Sequence, residues 1–387
     1  MKRIYMDHSA TTPVRQEVVD AMLPYFSDVF GNASSVHTFG QEARKVVEKA
    51  RETIANCLGA DPTEIYFTSG GTESDNMAVK GVASAYEKNG KHLITSQIEH
   101  HAVLNCLNNL EKKGFSATYL PVDEGGIVHP DSLRDAITPE TTLVSTMLAN
   151  NETGTVEPIA ELAAIAREKK IMFHTDAVQA VGKIPVNVND LNVNLLTISA
   201  HKIYGPKGIG ALHIRKGTRI TPLLHGGHHE RNRRAGTENV AGIVGFAKAM
   251  ELAYKELPTE PARLAALRDR LERGIRERIR HVRTNGSVEH RLPNLLNMSF
   301  EFVEGESLLL GLDFKGVAVS TGSACTSGSL EPSHVLQAMG IPPATAQGSL
   351  RFSLGRANTE ADIDYVIEVL PEIVERLRQM SPLYTEK

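Results

Sequence analysis

The chain has 387 residues, 41% hydrophobic and 23% charged, with a formal net charge of −4. That length suits about two domains with ordinary cores, and the near-neutral balance disfavours binding to nucleic acid or an anionic membrane. The opening MKRIYMDHSATTPV lacks the apolar centre of a signal peptide, and no apolar run reaches the roughly 18 residues of a membrane span, so a cytoplasmic location is expected.

In chain order, the first strong element is Phe39 to Leu58, where Ala43, Val46, Val47, Ala50, Ile54 and Leu58 recur at helical spacing and Gly59 ends the pattern. Beyond it EIYFT, HLITS, ATYLPV, TLVSTML, IMFHT, LLTIS and GALHI alternate with helical stretches such as PIAELAAIAREKK. That alternation predicts an α/β fold, a doubly wound and mainly parallel seven-stranded sheet flanked by helices. Two long helical stretches follow, Glu238 to Glu256 and Pro261 to Arg280, and read as a bridge; the charge pairing of the second suits an exposed helix. From Leu292 the runs LLNMSF, VAVST and LRFSL and a last amphipathic helix, Glu360 to Met380, predict a smaller α+β domain.

Three motifs lie where strands give way to turns. TSGGTES, residues 68–74, follows EIYFT and opens a helix, and free N–H groups at a helix start favour a phosphate. It is neither a Walker A loop nor a dinucleotide fingerprint, and a plain cap by Thr72 or Ser74 is the alternative. HTDAVQA puts Asp176 at a strand's carboxyl end, where ligands collect in parallel sheets, or else makes it a turn cap. SAHKIYGPKG ends LLTIS with Lys202 on the same sheet edge, and a partly desolvated lysine is a usable amine nucleophile. Together they supply a lysine, a carboxylate for a ring nitrogen and a phosphate cradle, the set that pyridoxal 5′-phosphate requires.

The three cysteines, Cys57, Cys106 and Cys325, show no CxxC spacing, which argues against a disulfide framework or a zinc knot. Cys57 and Cys106 lie in amphipathic patterns and read as buried structural residues. Cys325 lies in STGSACTSGS, a run without core periodicity, so its thiol is expected on a mobile loop. The histidines of HGGHHE, residues 225–230, are not expected to bind metal, because glycines between them fix no coordination geometry. His37 reads as a hydrogen-bonded structural residue.

Through YMDHSATTPV, GNASSVH, TSGGTESDN, EHHAVL, ANNETG, HTDAVQA, SAHKIYGPKG, RRAGTENV, STGSACTSGSLEPSHVL and LRFSLGR, the chain resembles the cysteine desulfurases of the NifS and IscS type. These belong to class V of the fold type I, pyridoxal-phosphate-dependent aminotransferase superfamily, and the resemblance spans essentially the whole length. It implies a large cofactor-binding domain over residues 15–261 and a small domain from 1–14 and 262–387. It implies that Lys202 bonds the cofactor and then moves the Cα proton, that Asp176 pairs with the ring nitrogen, and that Gln179 hydrogen-bonds the ring hydroxyl. His100 would stack on the ring and act as acid or base on the substrate thiol; it is preferred to His101 because it follows Glu99. Gly71, Thr72, Ser199 and His201 would hold the phosphate, with Thr237 reaching from a partner subunit, so a homodimer is expected. Asn151 and Arg351 would bind the substrate carboxylate.

Cys325 would take the sulfur of L-cysteine as a persulfide, releasing L-alanine, and pass it to an iron–sulfur scaffold protein or another acceptor. In a scaffold complex the same thiol would transiently ligate a cluster. Thr321 and Ala235 stand where serine is common in the family, and the tail LRQMSPLYTEK resembles a scaffold-docking terminus but is short. Alternatives are a selenocysteine lyase or an aminotransferase, and, from another class, a non-catalytic sulfur-transfer scaffold.

Overall fold

A computed structural model describes residues 3–321, 332–382 and 384. Its centre is a seven-stranded sheet in the order Ile65–Thr68, Gly210–Ile214, Leu195–Ser199, Met172–Asp176, Thr141–Ser145, His92–Ser96, Ser116–Leu120. Gly210–Ile214 is antiparallel to both neighbours, and the other pairings are parallel. Six strands therefore point their carboxyl ends at one rim. The strands read as continuous apolar runs because helices cover both faces. Successive side chains still alternate: Leu93, Leu143, Leu195 and Leu212 enter one core, whereas Ile94, Val144, Leu196 and Ala211 enter the other.

The first of those cores lies under helix Gly71–Ala85, which buries Met77, Val79 and Val82. The second is closed by helix Thr38–Leu58, capped at its start by His37 and stopped by Gly59 in the left-handed region, and by Val240–Glu256, which brings Ile243, Phe246 and Met250 to it. His37 thus has the structural, hydrogen-bonded role expected of it.

A separate apolar cluster forms around the antiparallel sheet Ser320–Thr321, Ser349–Ser353, Leu295–Phe300, Val282–Asn285 and the helices Glu260–Arg278, Gly305–Phe314 and Glu360–Met380. Ile4 and Met6 join this cluster. Two expectations are corrected here. VAVST is not one strand: Val317–Ala318 pairs with Ile4–Tyr5, and Ser320–Thr321 pairs with Leu350 and Arg351 in the other sheet. Helix Glu260–Arg278 is not an all-exposed charged helix, since Leu264, Leu267, Leu271 and Ile275 are buried and Arg268 is drawn in to donate to the Leu292 carbonyl at 2.6 Å. Among the described residues no helix is long and apolar enough to cross a membrane.

Candidate active site

The rim formed by the six co-directional strands opens into a cavity of about 330 Å³. Gly71, Thr72, His100, Asn151, Asp176, Gln179, Ser199, His201, Lys202 and Arg351 all line it, so residues far apart in sequence meet as the sheet-edge argument requires. Thr237 does not line it; in the single chain it is exposed. Cys325 lies outside the described residues.

At one end, Thr68 and Ser199 flank Gly210 in register. A Cβ on Gly210 would stand 2.7 Å from the Gly70 Cα and 2.7 Å from the Ile198 carbonyl, so glycine here lets the Gly70–Gly71 turn settle onto the sheet edge. Gly70 itself has φ 150°, and helix Gly71–Ala85 begins with no side-chain cap. The plain-cap alternative for TSGGTES therefore fails: Ser74 turns inward to Thr68 Oγ1 at 2.7 Å, and Thr72 lines the cavity. An uncapped helix start beside Ser199 and His201 is a fit for a phosphate group. His201 hydrogen-bonds Thr11 Oγ1 at 3.1 Å, and burial with the nearby Lys202, Lys207 and Lys183 charges lowers its pKa to about 4.

Farther in, Asp176 accepts the Val178 N–H at 2.8 Å. Burial raises its pKa to about 6, with the Val178 N–H and the Lys202 charge pulling the other way. A cationic ring nitrogen is the partner such a carboxylate lacks. Gln179 donates to the Ser9 carbonyl at 3.0 Å and accepts at its Oε1 from the buried Lys183 at 3.0 Å. The side-chain set thus fits pyridoxal 5′-phosphate: an uncapped helix start for the phosphate, Asp176 for the ring nitrogen and Lys202 for the aldehyde.

Lys202 ends a 3-10 turn that directly continues strand Leu195–Ser199. Its ammonium donates to the Ser9 and Ala10 carbonyls, the latter at 2.7 Å. The same N-terminal segment grips the turn through Thr12, whose N–H and hydroxyl both reach the His201 carbonyl, at 3.0 and 2.8 Å. Tyr204, at φ 64°, is held in turn by Thr12 Oγ1 at 2.8 Å.

His100, not His101, lines the cavity; the His101 ring instead packs 4.8 Å from His334. His100 Nδ1 accepts the Ala102 N–H at 3.1 Å, which leaves the Nε2 position to carry the proton of the neutral ring. Its pKa does not stay near the ordinary value: burial, then the charges of Lys202, His101 and His334, lower it to about 4. In that environment the ring is neutral, with its N–H at Nε2.

Arg351 is 1% exposed. Its fork is already partly engaged, with Nη2 on Asp7 at 2.8 Å and Nη1 on the Asn151 carbonyl at 2.9 Å, while buried Nε has no partner among the described residues. A buried guanidinium N–H without an acceptor marks room for an anion. Asn151 contributes its main chain to hold the arginine as well as lining the cavity.

Cys57 and Cys106 are held at about pKa 11, chiefly by burial, so both are inert as nucleophiles. Around HGGHHE, His228 bonds Asn232 Oδ1 at 2.6 Å and His229 accepts the Gly236 N–H at 3.3 Å. Sequence reasoning missed Asp7, Ser9, Asp75 and Lys183. Asp7 and Ser9 stand in the quoted YMDHSATTPV, but their partners are remote in sequence, so that motif was the only available signal.

The aminotransferase class-V family matches residues 4–366. A cysteine desulfurase IscS of Dictyoglomus turgidum is 59% identical over 387 residues, covering 100% of this chain and 98% of the relative. Among solved structures, a NifS-like protein superposes with TM-score 0.92 at 42% identity, covering 97% of this chain and 100% of the other. A structure described as SspA in complex with cysteine superposes with TM-score 0.82 at 39% identity, covering 91% of this chain and 99% of its own. The chain belongs to the aminotransferase class-V family, within its cysteine desulfurases of the IscS type.

Proposed function

We propose that the chain removes sulfur from free L-cysteine, releasing L-alanine and leaving a persulfide on Cys325. The observation that carries the reading is the convergence of Lys202, Asp176, His100, an uncapped helix start and Arg351 on one cavity. Bound pyridoxal 5′-phosphate supplies an electron sink for the substrate Cα. Arg351 and Asn151 orient the substrate carboxylate, Asp176 holds the ring nitrogen cationic, and Gln179 hydrogen-bonds the ring hydroxyl. Gly71, Thr72, Ser199 and His201 hold the phosphate. Lys202 takes the Cα proton, and His100, neutral at Nδ1, presents an N–H toward the substrate thiol. The Cys325 thiolate then attacks the substrate sulfur: an S–S bond forms, the carbon–sulfur bond breaks with its electron pair left on carbon, and that carbon takes up a proton.

The reading extends to a cytoplasmic homodimer in which Thr237 of one subunit completes the phosphate site of the other. It also extends to the division of the chain at residues 14/15 and 261/262, and to delivery of the sulfur to an iron–sulfur scaffold or another acceptor. The exposed position of Thr237 supports the first of these.

In the test, purified protein is given L-cysteine while alanine, sulfide and the cofactor's visible absorbance are followed. Cys325→Ala keeps the absorbance and makes no sulfide; undiminished turnover rejects the role of Cys325. Lys202→Ala loses the lysine-linked absorbance and slows turnover by ~10²–10⁴-fold, the usual worth of a positioned acid–base group. Preference for selenocysteine over cysteine in the same assay would favour a selenocysteine lyase.

A further inference from the structure

Gln179 lines the cavity with an amide whose two ends are alike in shape and opposite in sense, since Oε1 accepts and Nε2 donates. Which end meets a ring hydroxyl is decided by the other groups that hold the amide, and the buried Lys183 is one of them. After Asp176 the chain coils tightly: the Ala180 and Val181 N–H groups donate to the Ala177 carbonyl and the Lys183 N–H to the Ala180 carbonyl, each at 3.0 Å. The Lys183 side chain runs back four residues along this coil. Its Nζ donates to both oxygens of Gln179, the main-chain carbonyl at 3.0 Å and Oε1 at 3.0 Å. Lys183 itself does not line the cavity.

Those two contacts have one sense only. Both oxygens are carbonyls and carry no proton, so Nζ is the donor in each, and the amine has N–H bonds for both with or without its third proton. Burial, then the Lys202 and Arg351 charges, lower the Lys183 pKa to about 7, and the orientation holds on either side of that value. Nε2 agrees with it by donating to the Ser9 carbonyl at 3.0 Å. Turned over, the amide would set Oε1 against the Ser9 oxygen and Nε2 against the Lys183 nitrogen, two buried mismatches. The Ser9 carbonyl is the weaker hold, because it also accepts from the Lys202 ammonium. With Ser9 taking one N–H of the amide, the other is left for the cavity, and a donor on Oε1 polarises the amide and strengthens that N–H.

We propose that Lys183 is a positioning residue for the cofactor's ring hydroxyl: bonded to Oε1 of Gln179, it turns the amide so that an Nε2 N–H, and not the oxygen, is presented to the ring. This rests on the reading of Gln179 as partner of the ring hydroxyl. A donor at that place stabilises the hydroxyl's anion, and it thereby makes the nitrogen through which Lys202 holds the cofactor less basic.

The pH at which the visible absorbance of the cofactor-loaded protein titrates reads this basicity. Lys183→Met is expected to raise it by about one unit, the size of one hydrogen bond to a charged group, and Gln179→Met to raise it at least as far. Added to Gln179→Met, Lys183→Met should move the titration no farther, because Lys183 acts through the amide. A shift that persists in that background would overturn the proposal, since the lysine charge would then be acting on the cofactor across space. So would a Lys183→Met protein that loses stability or cofactor affinity while its titration stays in place, the mark of a purely structural lysine. If Lys183→Met fails to accumulate, the double variant, which replaces the buried donor and acceptor together, is compared with Gln179→Met alone: equal titrations support the proposal and unequal ones count against it. An unmoved titration in Gln179→Met would sink the ring-hydroxyl reading itself. A moved one beside an unmoved Lys183→Met would sink only the present proposal.

Discussion

Arg351 shows how a single side chain can be both a support and a ligand group. One arm of its fork neutralises Asp7 and the other ties down the Asn151 main chain, and buried Nε has no acceptor among the described residues. A lysine could reach Asp7, but it would have no planar fork left to meet a carboxylate. Arg351→Lys is therefore expected to keep the cofactor absorbance and to lower kcat/KM for L-cysteine by ~10–100-fold, the loss of one charge-assisted hydrogen bond of about 1.5–3 kcal/mol, appearing mostly in KM. Steady-state kinetics check it, and an unchanged KM would remove Arg351 from substrate binding. The arginine itself was legible in LRFSLGR. Asp7 was not, because nothing local in YMDHSATTPV signals a partner 344 residues away.

At the scale of elements, the site depends on how closely the turn before helix Gly71–Ala85 approaches the sheet. Both atoms that a Cβ on Gly210 would meet, at 2.7 Å, are backbone, so neither can swing aside. Gly210→Ala should push the helix start away from Ser199 and His201, cost about 1–3 kcal/mol of stability as overpacking does, and weaken cofactor binding. Gly217→Ala serves as the comparison: its φ is 93° and an added Cβ would meet no atom of the described residues within 4 Å, so it should lose stability through backbone strain and keep its cofactor affinity. Thermal melts and cofactor titrations separate the two, and equal affinities would show that the approach does not shape the phosphate end. Strands such as HLITS, LLTIS and GALHI were readable because each is a short apolar run between turn residues, and they fall where expected. VAVST was misread because its halves pair with partners from opposite ends of the chain, Ile4–Tyr5 and Ser349–Ser353, a division that local pattern cannot encode. Val282–Asn285, only partly buried until its last residue, carried too little apolar signal to be seen.

Across the whole molecule, burial sets two families of groups against each other as pH changes. His8, His100 and His201 are lowered to about 4 and His174 to about 3, burial being the main cause in each case. The unfolded chain binds those protons near pH 6.5 and the folded one does not, so this stability is whole above about pH 6.5 and drains away as pH falls through the folded values. Glu99 and Glu157 are raised to about 8 and Glu152 to about 7, again chiefly by burial. Their contribution is whole below about pH 4.3, where the unfolded carboxyls are also protonated, and is lost as pH rises through the folded values. Between the two unfolded values the slopes oppose one another; above neutrality the carboxyls act without the histidines. Glu157 isolates the second family, because it does not line the cavity: Oε2 accepts the Val128 N–H at 2.9 Å, and buried Oε1 has no partner among the described residues. Glu157→Gln keeps that bond through its amide oxygen and cannot titrate. Its stability minus that of the wild type should therefore grow with pH by on the order of 1 kcal/mol per unit between about pH 5 and 7.5, whatever constant offset the amide adds. Urea melts at several pH values measure the difference, and a gap independent of pH would mean that Glu157 is ionised in the folded chain and that its partnerless oxygen is solvated.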